Sequence, residues 1–269
     1  MTSLASTHPI PLAQPFLTVV IPAYNEERRI LTTLQQVSRY LSSQTYTWSV
    51  LVADDGSTDG TAALVREFGS QQPRVSLLSL AHRGKGWAVR SGMLATGAQY
   101  RFLCDADLSM PIEQLDRFLP PGLLDCDVAI GSREVPGARR IGEPGRRHLM
   151  GRVFNAMTMA LAVSGIRDTQ CGFKCYSGRA AQNLFPLQRI LGFGFDVEIL
   201  FLARRMGLRL VEVPIDWYYK SESKVRPLKD GLTMSQDVLR VRWNAWRGYY
   251  GRLGPRDGSS PTSGEPDKV

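Results

Sequence analysis

Asp105 and Asp107 stand one residue apart at the end of a short apolar and aromatic run, in the stretch Tyr100-Arg-Phe-Leu-Cys-Asp-Ala-Asp-Leu-Ser109. Carboxylates this close repel each other unless one is protonated or a hard cation lies between them. Oxygen ligands at a strand's end suit Mg²⁺ or Mn²⁺ bridging phosphates. A plain polar turn would also place aspartates here. The pair gains weight from two earlier stretches, Pro22-Ala-Tyr-Asn-Glu26 and Asp54-Asp-Gly-Ser57, in which turn or acidic residues again follow a hydrophobic run. A further loop, His82-Arg-Gly-Lys-Gly86, sets Lys85 between Gly84 and Gly86. It lacks the Gly-x-x-x-x-Gly-Lys-Ser/Thr of a P-loop, and no Gly-x-Gly-x-x-Gly follows the first apolar run, which argues against a dinucleotide fold. On its own, a lysine such as Lys85 is more often a solvated loop residue.

The elements that must position these residues alternate. Leu17–Tyr24 is an apolar, β-branched run ending near a proline, as a central parallel strand would. Asn25 is a candidate cap for the following helix, with Glu26 and Glu27 at its positive end and Ile30, Leu31, Leu34, Val37 and Leu41 at helical spacing. A second strand is expected over Trp48–Ala53 and a helix from Ser57–Asp59 to Phe68. A third strand is expected over Val75–Leu80, then a helix from Trp87 to Ala98. Strands alternating with helices imply a doubly wound, mostly parallel α/β sheet, whose ligands lie beyond the carboxyl ends of the strands. That places Pro22–Glu26, Asp54, Asp55, Gly84–Gly86 and Asp105–Asp107 along one rim.

Beyond Asp107 the pattern loosens. Pro111–Leu119 reads as a short helix and Asp127–Gly131 as a strand. Val135–His148 is a Gly/Pro-rich loop bearing Arg139, Arg140, Arg146 and Arg147, expected to be mobile and either a lid or a solvated surface. An apolar helix is expected over Met150–Ser164, a helix beginning at Phe195 with Asp196 and Glu198 in its first turn, and a last strand over Leu208–Val213.

With 269 residues and 43% hydrophobic content the chain can bury one large core. Its formal charge of +8 is concentrated in Arg133–Arg152, six arginines against two glutamates, and Trp217–Arg252, eight Lys/Arg against three acids. Such patches attract phosphorylated substrates, anionic membranes or nucleic acid, and neither segment carries a nucleic-acid motif. Cys104, Cys126, Cys171 and Cys175 are too few for a disulfide framework, and Cys171-x-x-x-Cys175 lacks zinc-ligand company, so reduced thiols in a cytosolic setting are expected. Residues 1–16 read as a flexible lead-in without a signal peptide, 17–227 as the catalytic domain, 228–250 as an amphipathic helix and 251–269 as a disordered tail. No run approaches the roughly 20 apolar residues of a membrane span.

Taken together, Val-Ile-Pro-Ala-Tyr-Asn-Glu-Glu, Asp54-Asp55-Gly56-Ser57, Gly-Lys-Gly-x-Ala-Val-Arg, Asp105-x-Asp107 and Asp168-Thr-Gln-Cys-Gly-Phe-Lys174 resemble the inverting family-two glycosyltransferases of GT-A fold. The likeness is greatest to the dolichyl-phosphate glucosyltransferases and bacterial polyprenyl-phosphate relatives, and spans Thr18 to Arg226. It implies a nucleotide pocket from Pro22, Ala23, Tyr24, Glu26, Asp54, Asp55, Gly84 and Lys85, with Ala106 near the donor and a metal on Asp105 and Asp107. It also implies that Arg133, Gln170, Lys174, Asp196 and Glu198 serve the pyrophosphate, sugar and acceptor phosphate. The glucosyl-like motifs favour UDP-glucose as donor, with GDP-mannose the alternative. Ser109 stands where many mannosyl relatives place a metal-binding Gln, so no third protein ligand is assigned. The glucosyl relatives often carry an N-terminal membrane helix, which the sequence lacks.

On that resemblance, Asp105 and Asp107 with Mg²⁺ or Mn²⁺, helped by Arg133 or Lys174, would offset charge on the departing diphosphate. A polyprenyl phosphate acceptor, held by Arg133, Arg139, Arg140, Arg146 or Arg147, needs no base. A hydroxyl acceptor would need a general base such as Asp196 or Glu198, whose charges otherwise simply suit a helix N-terminus. Leu232, Val238, Leu239, Trp243, Trp246 and Tyr250, flanked by Lys229, Arg240 and Arg247, are expected on one broad helix face. That face would attach the protein peripherally to an anionic membrane at its cytoplasmic side, or pack on its own domain or a second subunit. The rivals are a sugar-1-phosphate nucleotidyltransferase, which would want a Gly-rich, Arg-bearing loop after the first strand, and a non-catalytic membrane- or nucleic-acid-binding module, which leaves the acidic rim unexplained.

Overall fold

The computed structural model describes residues 14–142, 163–220 and 227–251. Its strands are β1 (Leu17–Ala23), β2 (Trp48–Asp54), β3 (Val75–Ser79), β4 (Tyr100–Cys104), β5 (Val128–Ser132), β6 (Arg139–Ile141), β7 (Phe173–Ser177), β8 (Leu210–Pro214) and β9 (Asp216–Tyr218). The helices are α1 (Ile30–Ser42), α2 (Thr61–Gln71), α3 (Lys85–Leu94), α4 (Gly178–Leu184), α5 (Phe195–Arg205) and α6 (Pro227–Trp246), with a 3₁₀ helix at Ile112–Phe118.

Seven strands form one sheet in the order β3-β2-β1-β4-β7-β5-β8, and β6 pairs with β9 in a separate two-stranded ladder. β1 is buried at every position, as a strand covered on both faces must be. Its side chains alternate between two cores. Val19 and Ile21 join Ile30, Leu34, Val37 and Leu41 of α1, with Phe102 and Phe173, on one face. Val20 joins Val89, Met93, Leu103, Tyr176, Phe195 and Leu200 on the other. The sheet is therefore a helix-covered, mostly parallel α/β layer, and the expected fold class holds.

One strand departs from the parallel pattern. β7 runs antiparallel to both β4 and β5, with Cys104 opposite Phe173 and Leu103 opposite Lys174. Its N-terminal end thus lies at the rim where the parallel strands have their carboxyl ends, and the segment Asp168–Gly172 is delivered next to Asp105.

Several expected local features differ. Asn25 does not cap α1, which starts five residues later. It adopts φ 53° and ties the β1 loop to the β2 loop: its backbone N–H donates to Ser57 Oγ (2.8 Å) and its Oδ1 accepts the Thr58 N–H (2.8 Å). Glu26 N–H to Thr61 Oγ1 (2.7 Å) and Gly60 N–H to Glu27 Oε2 (2.9 Å) complete this lacing. Leu31 is exposed rather than core-facing. The expected mobile loop Val135–His148 contains a strand, because β6 pairs with β9 and Arg139 forms a bidentate ion pair with Asp216 (2.7 Å). Arg146, Arg147, most of the expected Met150–Ser164 helix and residues 1–13 and 252–269 lie outside the described residues. The C-terminal helix is not a separate appendage, since Val238 and Val241 of α6 and Tyr250 beyond it are buried in the second core. The broad apolar face expected there is split: these residues point inward, whereas Leu239, Trp243 and Trp246 are exposed. No helix among the described residues is long and apolar enough to cross a membrane.

Phe102, Phe118 and Phe173 meet edge to face, with centroids 4.5–5.5 Å apart, and clamp β4 to β7. Phe102→Ala should lower stability by about 3–5 kcal/mol, read as a fall in the urea midpoint. An unchanged midpoint would show that the triad does not hold these strands.

Candidate functional site

The loops after β1, β2, β3 and β4 converge on a cleft of about 690 Å³ lined by Pro22, Ala23, Tyr24, Glu26, Arg29, Asp55, His82, Gly84, Lys85, Ala88, Asp105, Ala106, Asp107 and Phe193. Ten of the predicted nucleotide-site residues are thus brought together around it: Pro22, Ala23, Tyr24, Glu26, Asp55, Gly84, Lys85, Asp105, Ala106 and Asp107.

Asp55 organises one end. Its carboxylate accepts the backbone N–H groups of Arg83 (2.9 Å) and Gly84 (2.8 Å) and lies 2.8 Å from His82 Nδ1. The His82 ring stacks on Tyr24 with centroids 4.2 Å apart, which makes a flat aromatic wall suited to a planar ring. Gly84 has φ 116°, and a side chain there would also strike the Leu191 carbonyl at 2.7 Å, so only glycine lets the loop pass. Asp54, expected in the same pocket, instead stays buried at the end of β2. Its carboxylate accepts the Ser57 N–H and hydroxyl, and it does not line the cleft.

Asp105 and Asp107 mark the other end. Lys85 Nζ lies 2.7 Å from Asp105 Oδ1, and Asp107 Oδ1 accepts the Ser109 N–H (2.9 Å). Ser109 therefore orients Asp107 through its backbone. Partial burial works against the Lys85 charge, but the carboxylates of Asp105, Asp196 and Asp107 outweigh it and hold the ammonium above the ordinary lysine range. The second oxygen of Asp105 and of Asp107 accepts no hydrogen bond among the described residues. No cluster of three His, Cys, Asp or Glu exists among them that could hold a metal alone. Two carboxylates with spare oxygens fit a Mg²⁺- or Mn²⁺-sized hard ion whose other ligands come from a diphosphate and water.

Gly172 is the reason Asp105 can stand where it does. The Asp105 N–H donates to the Gly172 carbonyl (3.1 Å), and a methyl group on Gly172 would lie 1.9 Å from Asp105 Oδ2. Beside it, Asp168 is fully buried and accepts Nε (2.7 Å), Nη2 (2.9 Å) and the backbone N–H (3.0 Å) of Arg133. Burial pushes the Asp168 carboxyl upward, and the Arg133 guanidinium reverses this and holds it at about 2. The carboxylate of Glu212 on β8 accepts the N–H groups of Arg167 and Asp168 (3.0 Å each), fastening the segment from behind. Gln170 donates its N–H to Asp168 Oδ1 (3.2 Å), and its buried side-chain Nε2 has no hydrogen-bond partner among the described residues.

Three residues expected to meet the substrates are turned away from the cleft. Lys174 is fully buried on β7, with Nζ donating to the Cys171 carbonyl and to Asp196 Oδ1 (2.6 Å each), so it cannot reach a departing diphosphate in this arrangement. Asp196 is its buried partner, and burial keeps that carboxyl above its ordinary range against the pull of Lys174 and Lys85. Glu198 accepts the N–H groups of Arg189 (2.9 Å) and Ile190 (2.8 Å) and the Tyr250 hydroxyl (2.6 Å). Neither carboxylate is positioned as a base. Arg140 pairs with Glu134, and the guanidiniums of Arg133 and Arg140 lie 5.5 and 5.9 Å from the Trp217 ring, a cationic cluster outside the nucleotide end. The four cysteines are free, burial pushes the Cys171 thiol to about 12 and raises those of Cys104, Cys126 and Cys175 as well, and none lines the cleft.

Arg29, His82, Ala88 and Phe193 line the cleft without having been read from the sequence. His82 adjoins the glycine-lysine loop and could have been included with it. Phe193, within Gly192-Phe193-Gly194, arrives from far downstream, and no local pattern signals that it folds back.

A profile of glycosyl transferase family 2 matches residues 18–185. The dolichyl-phosphate beta-glucosyltransferase of Dictyostelium discoideum is 31% identical over 256 residues, covering 89% of this chain and 78% of that protein. The protein of the same name from Mus musculus is 34% identical over 253 residues, covering 86% and 77%. Among solved structures, glucosyl-3-phosphoglycerate synthase from Mycobacterium tuberculosis in complex with UDP superposes with a TM-score of 0.62 at 20% identity, over 91% of this chain and 82% of that one. Its complex with Mn²⁺, UDP and glucosyl-3-phosphoglycerate gives 0.61, also at 20% identity, over 86% and 79%.

The Asp168 carboxyl is depressed in the folded state, so its stabilisation is complete above about pH 4 and fades as pH falls toward 2. Asp168→Asn should therefore cost roughly 2–3 kcal/mol at pH 7, and the gap in urea midpoint between variant and wild type should narrow between about pH 4 and 2. A constant gap would contradict the ion pair. Gly172→Ala, which pushes on the Asp105 carboxylate, should weaken Mn²⁺-dependent UDP binding about tenfold or more while the fold survives. Calorimetric titration with wild-type affinity would show that Asp105 has no part in that binding.

Proposed function

Because the chain belongs to glycosyl transferase family 2 and is a glycosyltransferase, we propose that it moves glucose from UDP-glucose onto a polyprenyl phosphate of the dolichyl type, with a divalent ion at Asp105 and Asp107. The observation that carries the reading is the single cleft that gathers the aromatic wall of Tyr24 and His82, the Asp55-bound loop, Lys85 and the Asp105/Asp107 pair at one end of the sheet. Its volume lies in the range of pockets that hold molecules of nucleotide size. Relatives named dolichyl-phosphate beta-glucosyltransferase, 31–34% identical over most of their length, support the glucosyl group and the acceptor, and the UDP complex of a protein of like fold supports a nucleotide-sugar donor.

The aromatic wall would take the base, and Lys85, held charged, would face the diphosphate. A bound Mg²⁺ or Mn²⁺ would supply Lewis-acid stabilisation of the leaving group. The protein of like fold complexed with Mn²⁺ and UDP supports a divalent ion without choosing between the two metals. An oxygen of the acceptor phosphate attacks the anomeric carbon from the face opposite the nucleotide. The bond from that carbon to the β-phosphate oxygen breaks, and its electron pair leaves with UDP, which inverts the configuration.

A phosphate monoester has a second pKa of roughly 6 and arrives ionised, so it needs positioning rather than deprotonation. The burial of Asp196 and Glu198 fits this, since neither stands where it could serve a hydroxyl acceptor as general base. Arg133 and Arg140 beside Trp217 are the described cations suited to the acceptor phosphate.

Incubation with UDP-glucose or GDP-mannose, Mn²⁺ and a polyprenyl phosphate should yield a glycolipid from UDP-glucose alone. EDTA should abolish it, and Asp107→Asn should lower turnover by about 10²- to 10³-fold. Product from GDP-mannose, full turnover in EDTA, or transfer only to a soluble hydroxyl acceptor would each overturn the assignment.

A further inference from the structure

The helix α6 has two faces with different chemistry. Its inner face is bolted to the wall of the cleft: Asp237 accepts the backbone N–H of Gly194, next to the cleft-lining Phe193. Val238 and Val241 are buried against α5, and the Tyr250 hydroxyl after the helix donates to Glu198, which also holds the Arg189–Ile190 backbone. Arg189 donates to the Tyr249 carbonyl (3.0 Å). The helix is therefore a fixed part of the same body as the donor site.

Its outer face is apolar and basic. Leu239, Trp243 and Trp246 follow one another at i, i+4 and i+7 and are 59%, 52% and 76% exposed. The two indoles lie 5.0 Å apart, and the Arg247 guanidinium sits 4.9 Å from the Trp243 ring. Leu239, Arg240, Arg242, Trp243 and Trp246 line one shallow, open depression. Arg240, Arg242 and Arg247 are exposed, while the one carboxylate among the described side chains of 233–251, Asp237, is buried. Two exposed tryptophans are more than scattered surface apolar residues, and nothing among the described residues covers them.

We propose that this face docks on the surface of an anionic lipid bilayer, the indoles entering the headgroup boundary and the three arginines pairing with lipid phosphates. Charge complementarity selects this occupant. A second copy of the chain would bring Arg240, Arg242 and Arg247 against their own equivalents, and like charges across an apolar stripe oppose pairing. Trp and Arg are the residue types that stay half in and half out at a headgroup layer. The proposal deepens the lipid-acceptor reading by placing the cleft wall beside the bilayer that would carry the acceptor, yet docking is measurable without donor or turnover.

The test is co-sedimentation of the full chain with vesicles of neutral phosphatidylcholine alone or with 30% (about one third) phosphatidylglycerol added, at low and high salt. Wild type should pellet with the anionic vesicles, and less so in high salt. Trp243→Ser/Trp246→Ser and Arg240→Gln/Arg242→Gln/Arg247→Gln should each bind far more weakly, the triple variant by on the order of a hundredfold. Both variants should keep wild-type transfer to a short-chain, water-soluble prenyl phosphate, which tests the enzymatic reading separately. Wild type left in the supernatant, or pelleting that neither variant reduces, would overturn the proposal. So would a concentration-dependent dimer that both variants abolish, because a second copy would then cover the face.

Discussion

A carboxylate can stand at the mouth of the cleft only because the residue facing it has no side chain. Asp105 directly follows the parallel strand β4, and the antiparallel β7 beside it is immediately preceded by Gly172, whose missing Cβ leaves the space that the Asp105 oxygens fill. The rest of the site is arranged around that contact. Lys85 comes to Asp105 from the neighbouring loop, and that loop passes Leu191 only through another glycine, Gly84. Two close approaches at glycine, one to a carboxylate and one to a backbone carbonyl, thus set the distance between the cation and the acidic pair.

Beneath this layer lies a second set of charges, buried except for a partly exposed Arg133. Lys174 with Asp196, and Asp168 with Arg133, are buried pairs whose desolvation cost is large, and each is offset only because further hydrogen bonds satisfy the remaining atoms. Losing one partner from such a pair leaves an uncompensated charge, so the buried Asp168, Lys174 and Asp196 support the site by fixing the 168–174 segment rather than by touching a substrate. Glu212 and Glu198 do the same for backbone, each accepting two successive N–H groups that no helix or strand would satisfy.

The architecture and the rim were legible because they rest on local patterns. Apolar strands followed by Asn-Glu, Asp-Asp-Gly or Asp-x-Asp can be seen in a few residues, and a parallel sheet then dictates where their loops converge. Side-chain direction was less legible. Asp54 and Asp55 are adjacent and chemically identical, yet one turns into its own loop and the other into the cleft, because a strand sends successive side chains to opposite sides. Lys174, Asp196 and Glu198 carry motifs that look like chemistry, but Lys174 and Asp196 pair with each other across β7 and α5 and Glu198 is taken up by the Arg189–Ile190 backbone and Tyr250, contacts between distant segments that no short-range pattern announces. The α6 stripe was seen as one face because spacing alone cannot say which edge of a wide apolar arc meets the core.

The central claim is that Asp105 and Asp107 complete a divalent-ion site only together with the diphosphate of a nucleotide. Since coupling between two ligands is reciprocal, it can be measured from the metal alone. Mn²⁺ binding followed by electron paramagnetic resonance should be weak without nucleotide and about tenfold or more tighter with UDP, at one ion per chain, and Asp105→Asn or Asp107→Asn should erase the difference. Mn²⁺ bound equally well with and without UDP, or UDP enhancement that survives both substitutions, would contradict the account.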